Sequence, residues 1–499
     1  MSIVRFISGD KTLLIAPAGY GKTHTLAKCV ELTPENEKQL ILTHTHAGIA
    51  SIKEKFRKLN ISTRKYHIET ITGFAQKYVL AFYLEEDIPP QENSREYYPF
   101  IVKEAKKLFQ LYSVKKTVKY SYQGLFVDEY QDCTKSQHKM IMALSNILPT
   151  HILGDPMQGV FGFSEPLVDF ENDLNDFEKV DELDTPWRWK INGNNEDLGE
   201  MLKTIRQILE SDNKTINLTA YNTTVDYVEI NEHDIYSNQS NYKQKLNKLI
   251  LNRDNNTDFQ SLLLIVPEYY ENNIPKGNIT ARSRLKERID YSNRLILLEA
   301  IDAKDFYNIS RNIDELVLNI FRKRKKIKSM NDNLFSKLFN KGNLNDWIKD
   351  DRLINKRGDK SIIKNKLNEK IDSFIKSSTI KKLLDIILFM KIDMEFKTKR
   401  YDLLSSIIKS MNMAISENKT IYEAMVSHKN IVRRVGKKIQ GKCIGTTLLT
   451  KGLEFDTVAI LNAHRFEDYK HFYVAVTRAC KKLVIFSEMN ILKFDKANI

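Results

Sequence analysis

Lys11-Thr12-Leu13-Leu14-Ile15-Ala16-Pro17-Ala18-Gly19-Tyr20-Gly21-Lys22-Thr23 decides the fold. An apolar run leads into a glycine loop of the form [AG]xxxxGK[ST], and the residues after it, through Leu26 to Val30, read as a helix. Glycines let backbone N–H groups approach phosphate oxygens, and a helix N-terminus favours an anion. A lysine placed as Lys22 is reaches the β and γ phosphates, and a hydroxyl placed as Thr23 is suits Mg²⁺. The segment predicts a strand, a P-loop and a helix, with Ala18, Gly19, Tyr20, Gly21, Lys22 and Thr23 holding nucleotide and with ATP and Mg²⁺ as cofactors. An accidental glycine turn would match the bare pattern, but it has no need of the flanking strand and helix.

Working outward, QLILTHT (39–45), GLFVDEYQD (124–132) and THILGDP (150–156) are further apolar runs that each end in polar or glycine residues. They predict a parallel α/β sheet, in which active sites lie at the carboxyl edge. Asp128, just past its strand, is placed to hold Mg²⁺ through water, and Glu129 to orient or deprotonate a water. An isolated acidic pair would more simply cap a helix. After Gly154-Asp155-Pro156-Met157-Gln158 come Phe161 and Phe163, which suit base stacking, although such a pair alone is commonly core.

Residues 51–115 are charged, aromatic and helical in pattern and are expected to stand outside the sheet. SLLLIVP (261–267), TVAILNA (457–463) and KLVIFSE (482–488) predict a second α/β domain, split by a Lys-, Ile-, Asn- and Leu-rich stretch that reads as all-α. The expected fold is therefore two RecA-like parallel-sheet domains, each with a mainly helical insertion. The first occupies 1–50 and 116–180 with insertion 51–115, and the second occupies 181–270 and 436–499 with insertion 271–435. Basic runs such as FRKRKKIK (321–328) read as solvated helix faces.

With 499 residues the chain is long enough for several domains, and 42% hydrophobic with 28% charged residues excludes the disordered and fibrous classes. Lys plus Arg less Asp plus Glu is 78 − 64 = +14, which suits a polyanionic partner as well as it suits a merely basic surface. Cys29, Cys133, Cys443 and Cys480 lie far apart with no CxxC spacing, which supports neither a disulfide framework nor a zinc site and fits a reducing cytoplasm. No apolar run approaches the roughly 20 residues that cross a bilayer, so no membrane association is expected.

GYGKT, VDEYQD, GDPMQGVFGF, LDTPWR (183–188), TKGLEFD (450–456) and YVAVTRA (473–479) occur in the order found in UvrD/Rep-like superfamily 1A DNA helicases, and the chain resembles that family. The resemblance implies that Lys22 and Thr23 hold phosphates and Mg²⁺, Asp128 the metal and Glu129 the catalytic water. It implies that Gln158 links the γ-phosphate to the DNA site, that Arg188 and Arg478 are arginine fingers, that Glu454 contacts the ribose, that Gly452 approaches the phosphates and that Trp187 stacks on adenine. Thr43, His44, Thr45, His46, Phe161, Phe163 and Lys451 would contact single-stranded DNA.

The chain departs from the family pattern in places. No Gln precedes Lys22, Leu448 replaces a histidine, Pro186 an asparagine, and Ser164-Glu165 an Arg-Gly pair. These departures fall mainly on DNA contacts and coupling. More loosely, the chain is similar to the helicase-like subunit of Gabija-type antiphage systems, which works beside an ATPase-nuclease. Two functions follow as expectations: an ATP-dependent 3′ to 5′ translocase or helicase on single-stranded or tailed DNA, in antiphage defence or repair, or a DNA-end-sensing ATPase subunit that signals to a nuclease. The sequence holds no nuclease motif of its own.

Overall fold

The computed structural model describes residues 3–494 apart from 92, 163–164, 181–182, 194, 238, 252–260, 268–284, 287–288, 290–293, 300–303, 320–321 and 436–440. In chain order the first part contains Ile3–Ser8 (α1), Lys11–Ile15 (β1), Lys22–Leu32 (α2), Gln39–Thr43 (β2), His46–Lys58 (α3), Tyr66–Thr70 (β3), Ile71–Phe82 (α4), Ser94–Leu108 (α5), Tyr112–Ser121 (α6), Gly124–Val127 (β4), Lys135–Ser145 (α7), Thr150–Gly154 (β5) and Glu178–Lys179 (β6). Next come Glu196–Glu210 (α8), Thr215–Asn217 (β7), Val225–Glu229 (β8), Asn241–Leu251 (α9) and Leu262–Val266 (β9). Short strands Ile296–Leu297 (β10), Ile348–Lys349 (β11) and Arg352–Leu353 (β12) follow, and then Lys442–Thr446 (β13), Phe455–Ile460 (β14), Ala479–Ser487 (β15) and Ile491–Lys493 (β16).

Contacts divide the chain into one unit of Met1–Asp290 with Arg433–Ile499 and a second of Tyr291–Val432. The first unit is α/β and holds both expected parallel sheets. Its first sheet has the order β3-β2-β4-β5-β1-β6, with every neighbouring pair parallel. Strands β2, β4 and β5 are buried along their whole length, which is why they read as unbroken apolar runs. Alternation then separates two cores. Leu13, Leu40, Leu125 and Ile152 meet Phe74, Ile101 and Phe109 on one face, while Leu14, Ile41, Phe126 and Leu153 meet Leu26, Ile49 and Phe56 on the other.

One expectation is corrected. The segment 51–115 is not wholly an insertion, because Tyr66–Thr70 is the edge strand beside β2. Its polar Tyr66, His67 and Glu69 hide it from an apolar-run search. Edge strands carry such residues because one side of the ladder is unpaired.

In the second sheet the five strands of this unit run β13-β9-β14-β15-β8, again all parallel. The three runs read from sequence correspond to β9, β14 and β15. The flanking strands β8 and β13 were not foreseen, since Val225–Glu229 carries a polar residue between its apolar ones and Lys442–Thr446 has too short an apolar stretch, Cys443-Ile444, between Lys442 and Gly445-Thr446.

The second unit is mainly helical. Lys304–Leu318, Lys323–Met330, Asp359–Lys376, Ile380–Ile392 and Tyr401–Glu417 are helices that bury a common core including Phe306, Leu334, Phe374, Leu383, Ile387, Leu403 and Met411. Strands β11 and β12 form a two-residue antiparallel hairpin within it, so this part is not purely α. The run at 321–328 is not simply a solvated face either. Lys326 is 1% exposed, donates to Asn319 O at 2.7 Å and Ser378 Oγ at 3.0 Å, and burial pushes its ammonium pKa down. The expected boundary between 270 and 271 lies outside the described residues. Among the described residues no helix is long and apolar enough to cross a membrane.

Candidate nucleotide site

Strands β1, β4 and β5 deliver the P-loop, Asp128-Glu129 and Asp155 to the same carboxyl edge of the first sheet. Gly19 and Gly21 have φ of +79° and +94°, a region open to glycine and strained for other residues. Gly21 occupies the N-cap of α2 with no side chain capping it, so the first backbone N–H groups of the helix are left for an anion. Lys22, 7% exposed, folds back to donate to Ala16 O at 2.6 Å and Pro17 O at 3.1 Å. Burial lowers its pKa, while the charges of Asp155, Glu129 and Asp128 pull the other way. Thr23 is partly exposed beside it.

Asp128 is buried, and its carboxylate accepts from the Glu129 N–H at 2.9 Å. Burial and the neighbouring Glu129 raise its pKa. Glu129 is held low, against its own desolvation, by Lys451, Lys22 and Arg478. It adopts φ +58°, and Gln131 Nε2 donates to its Oε2 at 2.5 Å. This left-handed residue turns the chain at the end of β4. An uncapped phosphate nest, a lysine, a hydroxyl, the buried carboxylate of Asp128 and the half-buried one of Glu129 are a donor set that fits Mg²⁺-ATP.

The second sheet supplies the opposite wall. The Arg188 backbone N–H donates to Gly19 O at 3.0 Å, and a Cβ on Gly19 would lie 2.6 Å from the ring of Trp189. Trp189 is 1% exposed and donates from Nε1 to Ala479 O at 2.8 Å. Trp187, 46% exposed, lies with its indole edge 3.1 Å from a Cβ built on Gly21. Trp187, Arg188 and Trp189 thus straddle the glycine loop, with Trp187 beside Gly21 and Trp189 beside Gly19.

The arginines divide. Arg478 crosses to the first sheet's machinery, donating from Nη2 to Gln158 Oε1 at 2.9 Å, and also holds Val474 O at 2.9 Å. Burial and the nearby Arg188 push its pKa down to about 10. The Arg188 side chain instead stays with its own sheet, on Glu454 Oε1 at 2.6 Å and the Thr477 carbonyl. Its buried Nε has no hydrogen-bond partner among the described residues. Glu454, expected at the ribose, is therefore engaged as the counter-ion of Arg188, which holds its carboxyl below the usual range.

Of the expected DNA-facing residues, Thr43, His44, Thr45, His46 and Phe161 lie at the same edge. His44 stacks on Phe161 at 5.2 Å and 18°, and its Nε2 meets Gln137 Oε1 at 3.2 Å. Burial lowers its pKa. Gln137 also closes the capping box that starts α7. Thr43 is buried at the end of β2, Thr45 caps α3 by accepting from Gly48 N at 3.0 Å, and His46 begins that helix. Phe163 lies outside the described residues.

Two placements differ from expectation. Lys451 is 2% exposed, with its ammonium paired to the buried carboxylate of Asp132 and donating to the Gln158 carbonyl. A charge this far from water needs such partners, so here it joins the two sheets and does not face an open DNA path. Gly452 has φ +76°, and a Cβ built on it would lie 3.5 Å from Thr45 Oγ1 and 3.7 Å from Gly48 N, at the start of α3 and not at the glycine loop.

One residue was missed altogether. Arg206 on α8 donates from Nη1 to both oxygens of Asp155, at 2.8 and 2.9 Å, and to Tyr473 Oη at 3.1 Å. Asp155, 0% exposed, also accepts from Gln158 Nε2 at 2.9 Å. A continuous chain Arg206–Asp155–Gln158–Arg478 therefore crosses between the sheets twice. The sequence signal available was only an arginine on an amphipathic helix, which commonly marks a surface.

The family model of an AAA domain matches residues 2–164. That span contains the P-loop, Asp128-Glu129 and Gln158, and it supports a P-loop, nucleotide-binding, helicase-like superfamily. No curated protein matches the chain.

Proposed function

We propose that the protein is an ATP-dependent single-strand DNA translocase or helicase of 3′ to 5′ polarity, similar to the UvrD/Rep-like enzymes. We assign it to bacterial antiphage defence or DNA repair, beside an ATPase-nuclease partner of the Gabija kind. The observation that carries the reading is the contact of Arg478 with Gln158: a cation from the second sheet reaches the carboxyl edge of the first, at the residue that holds Asp155.

In this reading Lys22 and the N–H groups at the start of α2 hold phosphate oxygens, and Thr23 and Asp128 hold Mg²⁺. When bound, the metal neutralises charge between phosphates. Glu129, kept ionised by Lys451, Lys22 and Arg478, orients the attacking water and accepts its proton. Arg478 offers charge to the γ-phosphoryl only when the sheets are closed, which ties turnover to closure. Trp187 covers the nucleotide side of Gly21 and supplies a face for the base. His44 and Phe161 present aromatic surface at the neighbouring edge, where Gln158 links them to the phosphate site.

Strand displacement on 3′-tailed and 5′-tailed duplexes, with steady-state ATP hydrolysis in parallel, tests this. Displacement from the 3′ tail alone supports the proposal. DNA-stimulated hydrolysis with no displacement from either tail replaces it with a DNA-sensing subunit that signals to a nuclease, and hydrolysis indifferent to DNA overturns both readings.

A further inference from the structure

Charge that is conspicuous in the sequence is not always free in the structure. The run at 321–328 buries Lys326 and pairs Lys323 with Asp372 at 2.5 Å. Helix α6, by contrast, has Lys115, Lys116 and Lys119, no acidic residue anywhere from 109 to 123, and no ion-pair partner for any of the three lysines among the described residues. Its buried residues are Val114 and Val118. Its other eight residues are exposed, including Tyr112 at 81% and Tyr120 at 77%.

At about 100° per residue, Tyr112, Lys115, Lys116, Lys119 and Tyr120 share one arc of roughly 140°, opposite the two valines. The tyrosines are separated by about 12 Å along the axis, and Lys116 Nζ lies 5.8 Å from the Tyr120 ring. Lysines near the end of a helix interact favourably with its dipole, which accounts for Lys119. It does not account for two large aromatic rings left in water on the same arc. Cations interleaved with aromatic faces are the chemistry that recognises a nucleic-acid strand, phosphates by charge and bases by stacking.

We propose that this face of α6 is a second DNA-contacting surface, outside the aromatic pair at the carboxyl edge; the inference rests on the DNA reading of the protein. Its test measures binding of the full chain to a fluorescent single strand and to a blunt duplex across a salt series, for wild type, Lys115→Gln/Lys116→Gln/Lys119→Gln, Tyr112→Ala/Tyr120→Ala and Phe161→Ala. Removing one lysine that neutralises a phosphate should flatten the log–log salt slope by about 0.7 to 0.9 and weaken binding about five- to eightfold at 0.1 M salt. The lysine variant should therefore show a slope shallower by two to three units. If the strand is single, removing the tyrosines should weaken it by roughly 5- to 150-fold. If the strand is part of a duplex, the lysine effect should appear on the blunt DNA and the tyrosine effect should be small.

Thermal melting equal to wild type shows that each variant is folded, and Lys→Arg at the three positions should restore the slope. A lysine variant with the wild-type slope on both DNAs overturns the α6 surface, while loss of binding in Phe161→Ala in the same series leaves the DNA reading standing. A wild-type chain that binds neither DNA overturns both.

Discussion

Arg206→Ala isolates the link between the sheets. It leaves the carboxylate of Asp155, 0% exposed, hydrogen-bonded to only the Gln158 amide and the Met157 N–H at 3.2 Å, with Lys22 the remaining nearby cation. Removing one member of a buried ion pair costs about 3 to 5 kcal/mol. The Arg206 side chain is 14% exposed, so water reaches part of the vacated space, and about 2 to 3 kcal/mol is the expected loss. Asp155→Asn removes the stranded charge, so Arg206→Ala should cost much less in that background, a coupling of about 2 kcal/mol.

The loss falls on the closed arrangement in which Asp155 positions Gln158 and Gln158 holds Arg478. Nucleotide affinity should stay near wild type, since Lys22 and the α2 N-terminus are untouched. Turnover should drop by up to about 30- to 150-fold, the rate equivalent of 2 to 3 kcal/mol. Arg206→Lys should recover part of it, because a single nitrogen makes both contacts to Asp155. Urea denaturation and single-turnover hydrolysis supply the two readouts. Trp187 and Trp189, two of the three tryptophans, flank the loop and report its closure by fluorescence. Arg206→Ala with turnover within twofold of wild type, and no coupling to Asp155→Asn, would refute the link.

Other outcomes follow from single contacts. Lys22→Ala should abolish nucleotide binding measured by calorimetry, whereas Glu129→Gln should bind nucleotide and fail to turn it over. Gly19→Ala places a methyl at φ +79° and against the Trp189 ring, and should cost about 1 to 3 kcal/mol in backbone strain alone, read as a lower melting temperature. His151 is buried and pushed down to about 4, so the unfolded chain binds the proton first as pH falls below 6.5. Stability should fall with pH between about 6.5 and 4, by about 3 kcal/mol at most from this group, and His151→Gln should flatten that part of the pH–stability curve.

The central strands and the P-loop were legible because a parallel sheet buried on both faces writes itself as apolar runs, and because a phosphate nest demands glycines at fixed spacing. Asp128, Glu129 and Gln158 were legible for the related reason that the first two directly follow such a strand and the third stands in the turn after another. The edge strand at Tyr66–Thr70 was not, since half its ladder is unpaired and its composition is polar. Nor were the partners of Lys451 and Arg206, because an ion pair between residues tens to hundreds of positions apart leaves no local pattern. The same holds for α6, whose three lysines are fewer than those at 321–328 and stand out only once the exposed tyrosines and the absence of acids around them are seen together.

The most direct measurement is steady-state ATP hydrolysis by the purified chain, with and without single-stranded DNA, beside Arg478→Ala under the same conditions and with nucleotide affinity determined for both. A site assembled from two sheets predicts DNA-stimulated turnover in the wild type and nearly unchanged affinity with turnover reduced at least tenfold in the variant. Equal turnover in both proteins would contradict it.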